Sequence, residues 1–173
     1  MTASGWATPA LAGLLALISF TGPRALAAQD DIGIALGAKA SPDVLEDLDG
    51  APVDLGRWIG RKPLLVEFWA TWCPLCEQLM PRLEAAKRRA GERVEFVLVA
   101  VAVNQSKRAV RRHFEKHPAP GPVLWDTEGR AVRAFQAPST SYVVVLDRSG
   151  RVVYTGIGTD QKIEEAVARV LGK

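Results

Sequence analysis

Residues 64–76, Leu64-Leu65-Val66-Glu67-Phe68-Trp69-Ala70-Thr71-Trp72-Cys73-Pro74-Leu75-Cys76, decide how this chain is read. The first six are an apolar run behind Pro63, broken by one acid, and read as a buried strand. From Pro74 to Arg89 the apolar residues Leu75, Leu79, Leu83 and Ala86 recur at helical spacing, and Lys87-Arg88-Arg89 closes the last turn. Both cysteines of the chain thus fall where a strand ends and a helix begins. A C-x-x-C pair on one helical turn can close a disulfide, with its first sulfur at the helix N-terminus. Unpaired N–H groups and the helix dipole stabilise a thiolate there, which lowers the pKa of Cys73. Pro74 suits the first turn, where its missing N–H costs nothing. Cys76, one turn inward, is expected to be buried, to keep its proton and to act as the resolving thiol.

Blander readings of the pair are weaker. A structural zinc site needs two further Cys or His ligands, and none follow at suitable spacing. A purely structural disulfide closing so small a loop contributes little entropy. Strand–CxxC–helix context favours a redox pair.

Outward from this stretch the pattern alternates. Val44 to Leu55 reads as a hairpin about Asp49-Gly50. Val94 to Val103 (VEFVLVAVAV) is a β-branched run and reads as a central strand. Ser106 to His117 reads as a basic helix closed by Pro118, Val123 to Trp125 as a short strand, and Gly129 to Phe135 as a short helix. Tyr142 to Asp147 and Val152 to Thr155 form a second hairpin about Arg148-Ser149-Gly150, and Gln161 to Leu171 is an amphipathic helix. The order ββαβαβαββα, without internal repeats, argues for an α/β sandwich with a mixed sheet.

The N-terminus reads differently. Residues 1–28 carry one charge, Arg24, and the run Ala10 to Phe20 is almost wholly apolar. That length matches the h-region of a secretory signal and falls short of the about 20 residues a spanning helix needs. Ala25-Leu26-Ala27 resembles a cleavage site, so residues 1–28 are read as a signal peptide cut after Ala27 or Ala28. The departure from the signal pattern is an n-region, Met1 to Pro9, without Lys or Arg, and an uncleaved anchor is the alternative. Residues 29–42 read as an irregular leader and 43–173 as one domain. Loss of Arg24 would take the formal net charge from +3 to +2.

Composition closes off other classes. A chain of 173 residues, 48% hydrophobic and with two cysteines, is neither disordered nor a disulfide-rich miniprotein. A surplus of three positive charges is weak support for nucleic-acid binding, and no phosphate loop or Ser/His/Asp arrangement is present.

Val66 to Cys76 resembles the active-site segment of thioredoxin-fold proteins, and is most similar to the exported thiol–disulfide oxidoreductases of the TlpA/ResA type. The resemblance runs from Val44 to Leu171 and implies a thioredoxin-like sandwich, a mixed central β-sheet flanked by helices with an N-terminal β-hairpin. It implies exchange with protein thiols and disulfides, by a monomer without cofactor, in the periplasm or another extracytoplasmic space. Reduction of exported thiols, such as apocytochrome c cysteines, is the implied direction, with electrons from a membrane donor. Trp72 and Pro74 are implied to line the substrate groove.

Two departures from the family pattern matter. Relatives of this type often carry Asn six residues before the first cysteine and Glu three after the second; here Glu67 and Leu79 stand there. Glu67 is therefore expected to be a buried general acid/base beneath Cys76. The family's cis-proline aligns with Ser141 rather than Pro138, in Ala137-Pro138-Ser139-Thr140-Ser141. A cis bond before a non-proline costs about 3–4 kcal/mol, so a trans Thr140–Ser141 bond is expected. Thr140 and Ser141 are then groove residues, with the Ser141 N–H and hydroxyl near the sulfurs.

His113 and His117, four apart on the basic helix, read as a solvated pair rather than metal ligands. Lys107, Arg108, Arg111, Arg112 and Lys116 read as a solvated face, with an acidic partner or anionic lipid as the alternative. Trp69 is expected in the core. A copper- or metal-binding module using the two thiolates without turnover is the second functional reading.

Overall fold

The computed structural model describes residues 1–2, 32–41 and 43–172, so the signal peptide read from residues 1–28 lies outside the described residues apart from its first two. The chain forms β1 (Val44–Glu46), β2 (Pro52–Asp54), β3 (Leu64–Trp69), α1 (Pro74–Ala90), β4 (Glu95–Val101), α2 (Lys107–Lys116), β5 (Val123–Asp126), α3 (Arg130–Ala134), β6 (Tyr142–Leu146), β7 (Val152–Ile157) and α4 (Ile163–Val170). Short 3-10 turns at Leu55–Arg57 and Gly91–Arg93 are added to the expected order.

All seven strands join one mixed sheet in the order β2-β1-β5-β4-β3-β6-β7. β3 runs parallel to β4, and β4 to β5, while β6 and β7 are antiparallel. β3 is buried along its whole length, as its apolar run requires of a strand covered on both faces. Trp69 meets Phe114 of α2 with ring centres 4.7 Å apart, and Phe68 meets Phe135 at 5.8 Å. Adjacent strand residues point to opposite faces, so these contacts mark the two covered sides.

α1 buries Cys76, Leu79, Met80, Leu83, Ala86 and Ala90, so the expected stripe holds from Leu79 onward, whereas Leu75, read into the same spacing, is exposed in the first turn. It packs against α4, which buries Ile163, Ala166 and Val167. Both hairpins turn on an aspartate. Asp47 Oδ1 accepts from the N–H groups of Asp49 and Ala51, and Asp147 Oδ1 from those of Ser149 and Arg151. Each side chain adds to the backbone hydrogen bonds of its turn, and Gly50 and Gly150 supply the left-handed residue that the turn requires.

Residues 32–41 are irregular but lie against the domain. Gly37 N–H donates to Val152 O and Val152 N–H to Ala38 O, while Ile34 and Ala40 are buried. The Tyr142 hydroxyl accepts from Ile34 N–H at 3.1 Å and donates to Ile32 O at 3.0 Å. A side chain at Gly33 would overlap the Tyr142 ring. Among the described residues, no helix is long and apolar enough to cross a membrane.

Candidate active site

β3 delivers the chain to its carboxyl end beside β4, and residues 70–73 turn there into α1. Cys73 caps the helix. Its sulfur accepts the Cys76 N–H at 3.1 Å, and its carbonyl accepts from Cys76 and Glu77. Cys73 and Cys76 are joined as a disulfide, with Cα atoms 5.3 Å apart. Cys73 keeps 4% of its surface exposed and Cys76 none, which is the expected ranking. A negative sulfur at residue 73 would sit on the amide-rich end of a 17-residue helix, where such charge is stabilised.

Neighbouring strand ends hold the turn in place. Thr71 N–H donates to Gln105 Oε1 at 2.9 Å, and Gln105 Nε2 donates to Val101 O at 2.6 Å. Trp72 Nε1 donates to Val103 O at 2.7 Å while the ring remains half exposed. Pro74, Leu75 and Val103 are also exposed, so an apolar surface borders the disulfide. Gln105 is absent from the sequence reading. Its one visible signal was position, in the loop after the β-branched run that pairs with the motif strand.

Glu67 is fully buried in β3, opposite Leu98 of β4 and Val143 of β6. Neither carboxyl oxygen has a hydrogen-bond partner among the described residues. Burial drives its pKa well above the ordinary carboxyl value, and the charge of Glu77 adds to the rise. Burial thus favours the protonated carboxyl over the carboxylate at this position.

Ser141 follows a trans peptide bond, as expected, but lies inside the scaffold. The described residues contain no cis peptide bond, and Ser141 adopts φ of 58°. It is fully buried rather than at the groove surface. Its N–H donates to Phe68 O at 2.8 Å, its hydroxyl accepts from Gly158 N–H at 3.2 Å, and its carbonyl accepts from Gln161 Nε2 at 2.8 Å. Both its N–H and its hydroxyl are thus engaged by the scaffold rather than offered at a groove surface. Thr140 is half-buried and Pro138 exposed.

The histidine pair is corrected in part. His117 is exposed, but His113 is half-buried because the apolar side of α2 turns toward the end of β3. Its ring lies 4.9 Å from that of Trp69, and Nε2 is 3.5 Å from Glu77 Oε1. Trp69 is fully buried, as expected. No group of three or more His, Cys, Asp or Glu side chains among the described residues could hold a metal ion.

Comparison with known proteins bears on this geometry. The Redoxin family model matches residues 35–171. The thiol-disulfide oxidoreductase ResA of Halalkalibacterium halodurans is 30% identical over 133 residues, covering 75% of this chain and 73% of that protein. ResA of Bacillus subtilis is 31% identical over 127 residues, covering 73% and 69%. A putative thiol:disulfide interchange protein DsbE from Chlorobium tepidum superposes with a TM-score of 0.68 at 22% identity, over 80% of this chain and 96% of that one. The last likeness shows a shared fold.

Proposed function

The chain belongs to the redoxin family and is a thiol–disulfide oxidoreductase of the TlpA/ResA type; from that premise we propose that it is exported and reduces protein disulfides through a mixed disulfide at Cys73. The observation that carries the reading is the unequal setting of the two sulfurs. Cys73 is the less buried and caps α1, whereas Cys76 is sealed one turn inward.

In the reduced pair the Cys73 thiolate attacks one sulfur of a substrate disulfide. The substrate S–S bond breaks, one substrate thiolate leaves, and a Cys73–substrate disulfide forms. Cys76, losing its proton to a Glu67 carboxylate, then attacks the Cys73 sulfur. The second substrate thiolate leaves and takes a proton from solvent. Two electrons have passed to the substrate and the Cys73–Cys76 disulfide remains. A dithiol donor must reduce it again, and a membrane protein is the donor class we assign. Burial of Glu67 supports its role, because it raises the pKa of the carboxyl above its ordinary value and makes it a better proton acceptor.

Trp72, Pro74 and Thr140 are assigned to the substrate groove, supported by their partly or fully exposed positions, whereas Ser141 is buried. Export is supported by the apolar run Ala10 to Phe20 and by Ala25-Leu26-Ala27. The domain is assigned as a monomer.

The test is trapping. Cys76→Ser leaves the attacking sulfur without a resolver and should accumulate mixed disulfides with exported proteins, while Cys73→Ser should accumulate none. Wild-type protein should reduce insulin with a dithiol donor. Equal trapping by the two variants would overturn the assignment of roles.

A further inference from the structure

Ser141 occupies a conformation that ordinary side chains avoid, and it does so inside the protein. A non-glycine residue in the left-handed region is strained, because its Cβ crowds the following carbonyl oxygen. Such strain persists only where the surroundings impose it. Here they do so at two atoms of the residue. Gly158 N–H reaches the hydroxyl, while Gln161 Nε2 reaches the carbonyl of Ser141 and, also at 2.8 Å, that of Gly158. Gln161 is itself buried, with 4% of its surface exposed. The β7–α4 connection thus grips residue 141 and fixes the direction of its N–H.

That N–H points at a particular acceptor. β3 and β6 pair Phe68 with Tyr142, yet the Phe68 carbonyl accepts from Ser141, one residue along, at 2.8 Å. The same carbonyl oxygen lies 4.0 Å from Cys76 Sγ, which is held in the disulfide here and gains a hydrogen when the pair is reduced. One oxygen therefore faces a fixed N–H and the resolving sulfur.

We infer that Ser141 is a positioning residue for the redox pair: its clamped N–H occupies the Phe68 carbonyl and weakens that oxygen's hold on the Cys76 thiol. A bare carbonyl oxygen favours the protonated thiol, by accepting its hydrogen and by repelling a thiolate. An N–H already donating to the oxygen reduces both effects. Cys76 then deprotonates more readily for the resolving attack, and the reduced state is held less tightly. A proline at residue 141 would have no N–H to give.

The inference rests on the disulfide-exchange reading, and its test needs no protein substrate. In the full chain, the Cys73–Cys76 couple is equilibrated with glutathione, and the Cys76 pKa is followed by alkylation against pH. Ser141→Pro should shift the equilibrium toward the dithiol by about three- to tenfold, the worth of one hydrogen bond, and raise the Cys76 pKa. Tenfold corresponds to about 30 mV. Ser141→Gly keeps the N–H, tolerates the positive φ and lacks only the hydroxyl, so the couple should stay within about twofold of wild type. Gln161→Leu releases the carbonyl grip and should shift both readouts in the direction of Ser141→Pro. It decides the matter if the proline variant does not fold.

A folded Gln161→Leu with unchanged potential and unchanged Cys76 pKa would overturn the inference. So would a Ser141→Gly shift as large as that of Ser141→Pro. A wild-type pair that does not exchange with glutathione would instead overturn the disulfide-exchange reading beneath it.

Discussion

Gln105 holds Thr71, across the gap between two parallel strands, by accepting its N–H at 2.9 Å. The same amide donates to Val101 O, so one side chain links the approach to Cys73 with the end of β4. Gln105→Ala leaves the Thr71 N–H and one carbonyl without those partners. We expect a loss of about 1–3 kcal/mol in denaturant unfolding. The rate of mixed-disulfide formation should fall, with the apolar border of the site unchanged. Full stability in the alanine variant would mean that water replaces both bonds.

Glu67 makes stability depend on pH in a definite direction. Its folded pKa lies above the ordinary 4.5, so the native state binds this proton more tightly than the unfolded chain does. The stability tied to that proton is complete below about 4.5 and is lost as pH rises through the raised folded value. Glu67→Gln has no such proton to lose. Its unfolding midpoint should exceed that of wild type at pH 8 by more than at pH 4. In stopped-flow exchange at neutral pH, the resolving step of this variant should slow by about 100-fold or more, the ordinary worth of general acid/base catalysis. A rate unchanged across pH would remove Glu67 from the mechanism.

Trp72 presents a half-exposed ring whose edge is fixed by the Val103 carbonyl. Trp72→Ala should raise KM for a protein disulfide several-fold, since a large apolar contact at a substrate surface is lost. The glutathione equilibrium of the Cys73–Cys76 pair should stay close to wild type. A change confined to the potential would place the ring's effect on the sulfurs instead.

Arg82 joins α1 to the β7–α4 connection and α4, donating to Thr159 O at 2.8 Å and pairing with Glu164 at 2.8 Å. Both side chains are about one-third exposed, at 37% and 33%, so water screens the pair. The Arg82 hydrogen bond holds the Glu164 carboxyl below its ordinary range, and this contribution fades as pH falls through the lowered value. Glu164→Gln should cost about 0.5–1 kcal/mol at low salt and less at 1 M salt. A salt-independent cost would point to packing rather than charge.

What could be read from the sequence was local. LLVEFW is β3 residue for residue, because a six-residue apolar run leaves a strand little choice of ends. Helix α1 and both aspartate-led hairpins follow equally from spacing and turn chemistry within a few residues. Cys73 and Cys76 announced themselves by their interval. What stayed hidden was set across distance. The fixing of Ser141 depends on Gly158 and Gln161, 17 and 20 residues away, and no periodicity links them. His113 looked solvated because its neighbours on α2 are charged; its contact with Trp69 comes from packing of α2 on β3. Gln105 looked like an ordinary loop amide until two strand ends converged on it.

The Tyr142 hydroxyl, hydrogen-bonded to both Ile32 and Ile34, has a mechanical consequence. From Ile32 to Ala40 the chain is moored to the domain, and fully extended it would have provided about 30 Å of slack. Any attachment ahead of residue 32 therefore acts on a shortened leash, and that leash ends at the tyrosine next to Ser141. Pulling on the N-terminus loads the strand end beneath the redox pair first, before it reaches the β1–β2 hairpin.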